Sequence, residues 1–235
     1  MRTKLTAVLV ACAALGAGIV ASAQAAPISV AVYAFSTQDD VFAFHRVFGS
    51  ACKRKWQGNQ RLAIAVGANT NSCIFRSSVV ADSSDARPDQ GMVATTGVTG
   101  GSKKLRKKAF VGVGVRQSDN AGYFFRVLPT QRKWQYLRDP EGGAGLKLEA
   151  AGRGKFVKLG AKPNVISLRA FSYGGTTTSV VASVNGRTVV NTPDGAADQP
   201  SGRRTVVLAG AKGSGAATGI SGLFDDVNVQ VPNPF

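Results

Sequence analysis

The sequence predicts an all-β fold, a sandwich of two antiparallel sheets. Three observations predict it. Val, Thr and aromatic residues recur in short runs cut by Gly, Asn, Asp and Pro, the texture of strands joined by tight turns. The 235 residues are 44% hydrophobic and include 28 glycines, enough apolar material for a core with few long helical patterns. Asn185-Gly186 separates two β-rich runs and is the strongest hairpin signal in the chain, because a type I′ turn requires positive φ at both positions.

Arg2 and Lys4 precede a 16-residue apolar run, Leu5 to Val20, and Ala21-Ser22-Ala23-Gln24-Ala25 follows it. A basic end, an apolar stretch and an A-x-A exit read as a helical signal peptide over residues 1–25, with one exported domain over residues 26–235. A membrane anchor needs about 20 apolar residues, and this run is shorter and holds Gly16 and Gly18. Cys12 in Leu9-Val10-Ala11-Cys12 leaves too little apolar chain ahead of it for a lipoprotein box. No later stretch is long and apolar enough to span a bilayer.

The mature chain opens with a loosely alternating strand, Ile28 to Phe35, then a turn or N-cap at Thr37 to Asp40. Val41, Phe42, Phe44, Val47 and Phe48 form a short helix or an edge strand. Leu62, Ile64 and Val66 alternate as a half-buried strand. Asn69-Thr70-Asn71 turns into a strand from Cys73 to Val80, and residues 82–91 are a polar loop before a weak strand from Met92 to Val98. In Phe110 to Val115 one face carries Phe110, Gly112 and Gly114 and the other three valines, so a neighbour should pack closely on the glycine side. Tyr123–Leu128 and Trp134–Leu137 follow, then strand-like runs at Leu146–Leu148, Phe156–Leu159, Val165–Phe171, Ser179–Val184, Thr188–Val190, Thr205–Leu208 and Leu223–Val231.

Cys52 and Cys73 survive removal of the signal. An even pair in an exported chain reads as a disulfide. With His45 as the sole histidine, a Cys/His metal site and thiol catalysis both lack partners. The formal charge is +16; losing Arg2 and Lys4 with no acid leaves +14 (16 − 2). That charge favours anionic partners, disfavours self-association and so predicts a monomer. Its clusters at residues 53–55, 103–108, 132–133, 153–155 and 203–204 serve equally as solvated loop charge. No recognition helix, zinc motif or RNP-type aromatic pattern supports specific nucleic-acid binding.

Five segments occur in a telling order: G-Y-F-F-R-V-L-P (Gly122 to Pro129), W-Q-Y-L-R-D (Trp134 to Asp139), N-V-I-S-L-R-A (Asn164 to Ala170), V-N-G-R-T-V-V (Val184 to Val190) and G-L-F-D-D-V-N-V (Gly222 to Val229). Their succession resembles the concanavalin A-like lectin/glucanase jelly rolls, in particular the laminin-G-like modules of secreted bacterial proteins. The resemblance implies two curved sheets with ligands on the concave face or at the rim. Hydrolases of that superfamily carry Glu-x-Asp-x-x-Glu or a close variant on one strand. This chain has only Glu141 and Glu149, and neither has a carboxylate at the needed alternate position. A lyase using Tyr or Lys would not need them.

The expected function is therefore a secreted, non-catalytic binding module for a glycan or an anionic wall polymer. A glycan-degrading enzyme and a surface structural module are the alternatives. Candidate ligand-contacting residues are Trp134 and Tyr136, which share a strand face, and Tyr123; Arg126 and Arg138, on neighbouring strands, serve as an anion-binding surface or equally as solvent-facing partners of buried neighbours. Trp56 and Tyr173 are further aromatics able to stack, though core packing is the other use of such side chains. The resemblance also implies a structural Ca²⁺ at Asp225 and Asp226, with Asp39 and Asp40 as partners. The same acids serve equally as turn caps or as partners of Arg and Lys.

Overall fold

A computed structural model describes residues 28–58, 60–68, 70–80, 88–119, 121–173, 176–211 and 219–231. The expected signal peptide and most of the polar loop at 82–91 lie outside them. Among the described residues no helix is long and apolar enough to cross a membrane.

Two antiparallel sheets face each other. The first has the order β13 (Arg187–Asp194), β12 (Thr177–Val184), β11 (Asn164–Tyr173), β6 (Gln90–Gly100), β15 (Ile220–Val231), β4 (Arg61–Ala65) and β3 (Lys53–Gln57), and β1 (Ile28–Tyr33) also pairs with β15. The second has the order β10 (Lys147–Arg153), β9 (Lys133–Asp139), β8 (Gly122–Leu128), β7 (Ala109–Gln117), β14 (Arg204–Ala211), β5 (Ser72–Val80) and β2 (Phe44–Phe48). Short helices α1 (Gln38–Phe42) and α2 (Lys103–Arg106) and a 3₁₀ turn (Pro129–Gln131) connect strands.

Alternation builds the core. β12 buries Thr178, Val180, Ala182 and Val184 and turns the residues between them outward. Its partner β11 contributes Ile166, Leu168 and Ala170, and the second sheet answers with Val111, Val113, Val115, Phe125 and Phe75. Asn185 and Gly186 have φ of 50° and 79°, as the hairpin between β12 and β13 requires. The apolar group after Asp40 is both a helix and a strand: α1 ends at Phe42 and β2 starts at Phe44.

The glycine side of β7 faces away from the core and is covered by its own sheet. A Cβ on Gly114 would lie 2.7 Å from both Phe124 Cδ1 and Val206 Cγ2, and one on Gly112 would lie 2.8 Å from Arg126 Cβ. Phe110, Phe124, Leu128, Leu137, Val206 and Leu208 thus form a second buried apolar layer on the outer face. The expected close packing is made by neighbouring side chains of the same sheet.

Three readings differ. Lys53–Gln57, read as a charge cluster, is edge strand β3, and edge strands commonly carry lysine. The basic run contains helix α2, whose first turn is capped by the Ser102 side chain accepting from Leu105 N at 3.3 Å. Phe156–Leu159 forms no strand; between Gly154 and Pro163 the chain turns, and Val157 alone is fully buried.

Cys52 and Cys73 are disulfide-bonded across a separation of 21 residues. Cys52 immediately precedes β3 of the first sheet and Cys73 lies on β5 of the second, so the bond ties the two sheets. On the chain-entropy model, a loop of this length stabilises the fold by about 3 kcal/mol. Replacing both cysteines with alanine should lower the urea unfolding free energy by about that amount. Unchanged stability would contradict this role.

Candidate functional site

Three inward-facing residues of β9 set the chemistry of one sheet edge. Trp134, Tyr136 and Arg138 lie in register with Val127, Phe125 and Tyr123 of β8, so all six side chains share the inner face. At the Trp134 end this face is apolar. The Trp134 ring lies over Gly152, where a Cβ would meet it at 2.5 Å, and its centroid is 6.2 Å from that of Phe125. Toward the other end the face becomes polar. Tyr136 and Tyr123 stack with centroids 6.4 Å apart, and Arg138 follows.

Arg138 reaches across the sandwich. Its Nε donates to Asp194 Oδ2 at 2.7 Å, and its Nη2 donates to Asp198 Oδ1. Asp194 ends β13 on the opposite sheet, and its Oδ2 also accepts from the Tyr123 hydroxyl at 2.7 Å. Burial pulls the Arg138 pKa down, but hydrogen bonds and charges of Asp198 and Asp194 outweigh it and hold the guanidinium above its ordinary value. The hydrogen bond from Arg138 lowers the Asp198 pKa.

A cleft of about 490 Å³ opens between these sheet edges, lined among others by Tyr136, Arg138, Glu149, Asn191, Thr192 and Asp194. Tyr136 is 2% exposed, yet among the described residues its hydroxyl has no hydrogen-bond partner while the residue lines the cleft. An aromatic ring locked in the core thereby presents one polar atom to whatever enters. The acids outnumber the cation in the cleft: Arg138 stands against Asp194 and Glu149.

The other sequence candidates are dispersed. Arg126 pairs in register with Gln135 and projects from the outer face; strand alternation separates it from Arg138, so the two do not form one anion-binding surface. Its Nε donates to Gln135 Oε1 at 2.9 Å and its guanidinium lies 4.4 Å over the Phe110 ring. Trp56 stands on edge strand β3, its indole donating to Phe35 O at 2.9 Å. His45 is exposed on β2. The side chain of Tyr173 lies outside the described residues.

The acids expected for calcium do not fit a metal site. Asp225 Oδ2 is 3.4 Å from Arg61 Nε, Asp226 is exposed at a bulge with φ of 48°, and Asp39 lies in the first turn of α1. Among the described residues no three His, Cys, Asp or Glu side chains converge. The pairing of Asp225 with Arg61 is the use the residue type also allows.

The sequence singles out none of Asp194, Asp198, Asn191 and Thr192, and Glu149 only for lacking a partner carboxylate. One signal was present. From the Asn185-Gly186 turn, Val190, Thr192 and Asp194 continue the inward alternation and pair with Ala182, Val180 and Thr178. Pro193 obscured it, although proline is admissible in an edge strand such as β13.

No protein-family model and no curated protein matches the sequence. Solved structures match its fold. A protein of unknown function with a galectin-like fold from Bacillus subtilis aligns over 88% of this chain and 100% of its own, at 10% identity and TM-score 0.58. The carbohydrate binding module CBM66 from Bacillus subtilis aligns over 80% and 95%, at 12% identity and TM-score 0.54. A Bacillus licheniformis beta-glucanase aligns over 86% and 98%, at 9% identity and TM-score 0.56. The fold is a concanavalin A-like jelly roll. Carbohydrate-binding proteins and a glucanase both use this jelly roll, so chemistry has to be argued from the cleft itself.

Burial raises the pKa of Tyr123, with Asp194 adding to it, and burial raises that of Tyr136. A tyrosine whose neutral form is favoured in the fold holds its proton longer than the unfolded chain does. Stability is thus fully present below a pH of about 10 and falls as pH rises past it. In an alkaline titration followed by absorbance at 295 nm and circular dichroism, these two tyrosines should ionise only as the fold is lost. Ionisation of every tyrosine near pH 10 with native circular dichroism would contradict the assignment.

Proposed function

We propose that this chain is an exported, non-catalytic glycan-binding module whose binding site is the cleft between β9–β10 and β13. The carrying observation is Tyr136: a buried ring that lines the cleft and whose hydroxyl has no hydrogen-bond partner among the described residues. Thr192, inward on β13, adds a hydroxyl to the lining, so a few polar groups on an otherwise packed wall are there to orient a small ligand. Arg138 is fixed by two carboxylates and needs no rearrangement to receive a sugar hydroxyl. With two carboxylates against one guanidinium, the lining favours an uncharged sugar over a polyanion at this site.

Binding is favoured over cleavage on two grounds. Among the described residues, β5, β14, β7 and β8 carry no Asp or Glu, so the middle of that face lacks the carboxylate pair of a glycosidase; Asp139 stands at the end of β9, where burial and Glu141 raise its pKa. Within the cleft, Asp194 is held by Arg138 and Tyr123. A lyase using Tyr136 as base would need its pKa lowered toward neutrality, whereas burial raises it. The disulfide is consistent with an oxidising compartment. The proposal assigns no cofactor; a calcium requirement would appear as a difference between calcium and chelator in the same assay.

The test is a glycan array on the mature, oxidised protein at low and physiological salt, with calcium and with chelator. Salt-resistant binding to a narrow set of neutral glycans is expected. Tyr136→Phe should weaken that binding about tenfold, the worth of one hydrogen bond. It should leave the unfolding midpoint unchanged, because the hydroxyl bonds nothing among the described residues. Equal affinity of wild type and Tyr136→Phe for the retained glycan would sink the site.

A further inference from the structure

Three basic segments far apart in sequence meet at one pole of the jelly roll. The run from Lys103 to Lys108 leads into β7, and Lys107 O accepts from the Gln131 side chain. Gln131 belongs to the 3₁₀ turn that precedes β9. The next residue, Arg132, accepts from Gly154 N at 3.0 Å through its carbonyl and donates from Nη1 to Lys155 O at 3.4 Å. Lys133 and Arg153 are then direct register partners at the ends of β9 and β10. These contacts bring together cations from residues 103–108, 132–133 and 153–155, most of them exposed.

No acid answers them. Residues 90–118, 120–138 and 150–193 contain no Asp or Glu. Among the described residues, none of the ion pairs involves a cation of this pole. Like charges held together repel one another, so a cluster without counter-charge is costly unless an outside anion completes it. Arg126 extends the cluster onto the outer face. It lies two residues from Leu128, the register partner of Lys133, and burial pushes its pKa down to about 10. Its neighbours there are the Phe110 ring and the Gln135 amide.

We infer that this pole binds an acidic polysaccharide, a chain bearing repeated carboxylates, separately from the cleft and through the joined clusters of Lys103–Lys108, Arg132–Lys133 and Arg153–Lys155. Lysine supplies most of the charge, as hydrated point cations on flexible stems, which suits a flexible polyanion without a fixed bidentate geometry. The Phe110 ring beneath Arg126 holds that guanidinium in place at the edge of the cluster. The pole stands independently of the cleft, and Tyr136→Phe should leave polyanion binding untouched.

The experiment compares two triple variants that remove the same charge, with polygalacturonate as the probe and polyphosphate beside it. Lys107→Gln, Arg153→Gln and Lys155→Gln strip the pole; Lys53→Gln, Lys55→Gln and Arg203→Gln strip exposed cations elsewhere. Circular dichroism confirms that both remain folded. The pole variant should lose about tenfold or more in polygalacturonate affinity at low salt, with a shallower salt dependence, while the other stays within about twofold of wild type. Equal losses in both variants would overturn the site, because net charge alone would then account for binding. Retention of polyphosphate without polygalacturonate would overturn the polysaccharide as partner.

Discussion

An arginine that points into a β-sandwich must be answered from the opposite sheet, and Arg138 is answered by Asp194. The pair is nearly buried on both sides, at 10% and 12% side-chain exposure. An unpaired charge in such a place costs several kcal/mol. The bridge therefore fixes where β13 ends relative to β9, and the rest of the edge follows. Asp194 orients the Tyr123 hydroxyl, Tyr123 supports the ring of Tyr136, and the Tyr136 hydroxyl is left facing the gap. Asp198 engages the outer side of the same guanidinium while its carbonyl accepts from Glu141 N at 2.9 Å; Ser201 donates twice to Glu141 Oε1, at 3.0 and 2.9 Å. The segment after β13 is thereby held against the cleft's end.

The same end carries a second inward cation. Arg116 is fully buried with φ of 51°. Its Nε donates to Pro88 O at 2.8 Å, its Nη1 to Thr178 Oγ1 at 2.6 Å and its Nη2 to Ser172 Oγ at 2.8 Å. Asp89 Oδ1 stands 3.6 Å from it. Thr178 passes the network to Gln199. Both arginines buried at this end are met by carboxylates, which makes it rigid and specific. The opposite pole carries exposed cations with no match, which makes it adaptable and salt-sensitive. One jelly roll thus separates two electrostatic regimes by strand end.

What was legible in the sequence follows from the range of each signal. Period-two alternation is local, so the valine and glycine faces of β7 and the succession of most strands could be read directly. The Asn185-Gly186 turn needs only two residues, and the pairing of Cys52 with Cys73 needs only a count. Which face of a strand points inward is a tertiary fact. Alternation places Trp134 and Tyr136 on one face, but nothing local says that this face is the interior. Arg126 and Arg138 seemed comparable until the β8–β9 register put them on opposite sides. Asp194 gains its importance solely from meeting a residue 56 positions away. The basic clusters were each visible, but their union at one pole depends on three connections that no sequence window spans.

Charge on this molecule has a short reach, and that decides how its two surfaces coexist. Lys133 and Arg138 are five residues apart on β9, about 17 Å along an extended strand. The screening length at physiological ionic strength is about 8 Å, so the pole's field is largely lost before it reaches the cleft. There the local balance of Arg138 against Asp194 and Glu149 governs what enters. At low ionic strength the same field extends across the molecule, and the chain's large excess of Lys and Arg over Asp and Glu would draw any polyanion toward every surface. Physiological salt is therefore the condition under which an uncharged sugar in the cleft and an acidic chain at the pole are selected by different physics. At the cleft, selection rests on fixed hydrogen-bond geometry; at the pole, on the density of unmatched cations.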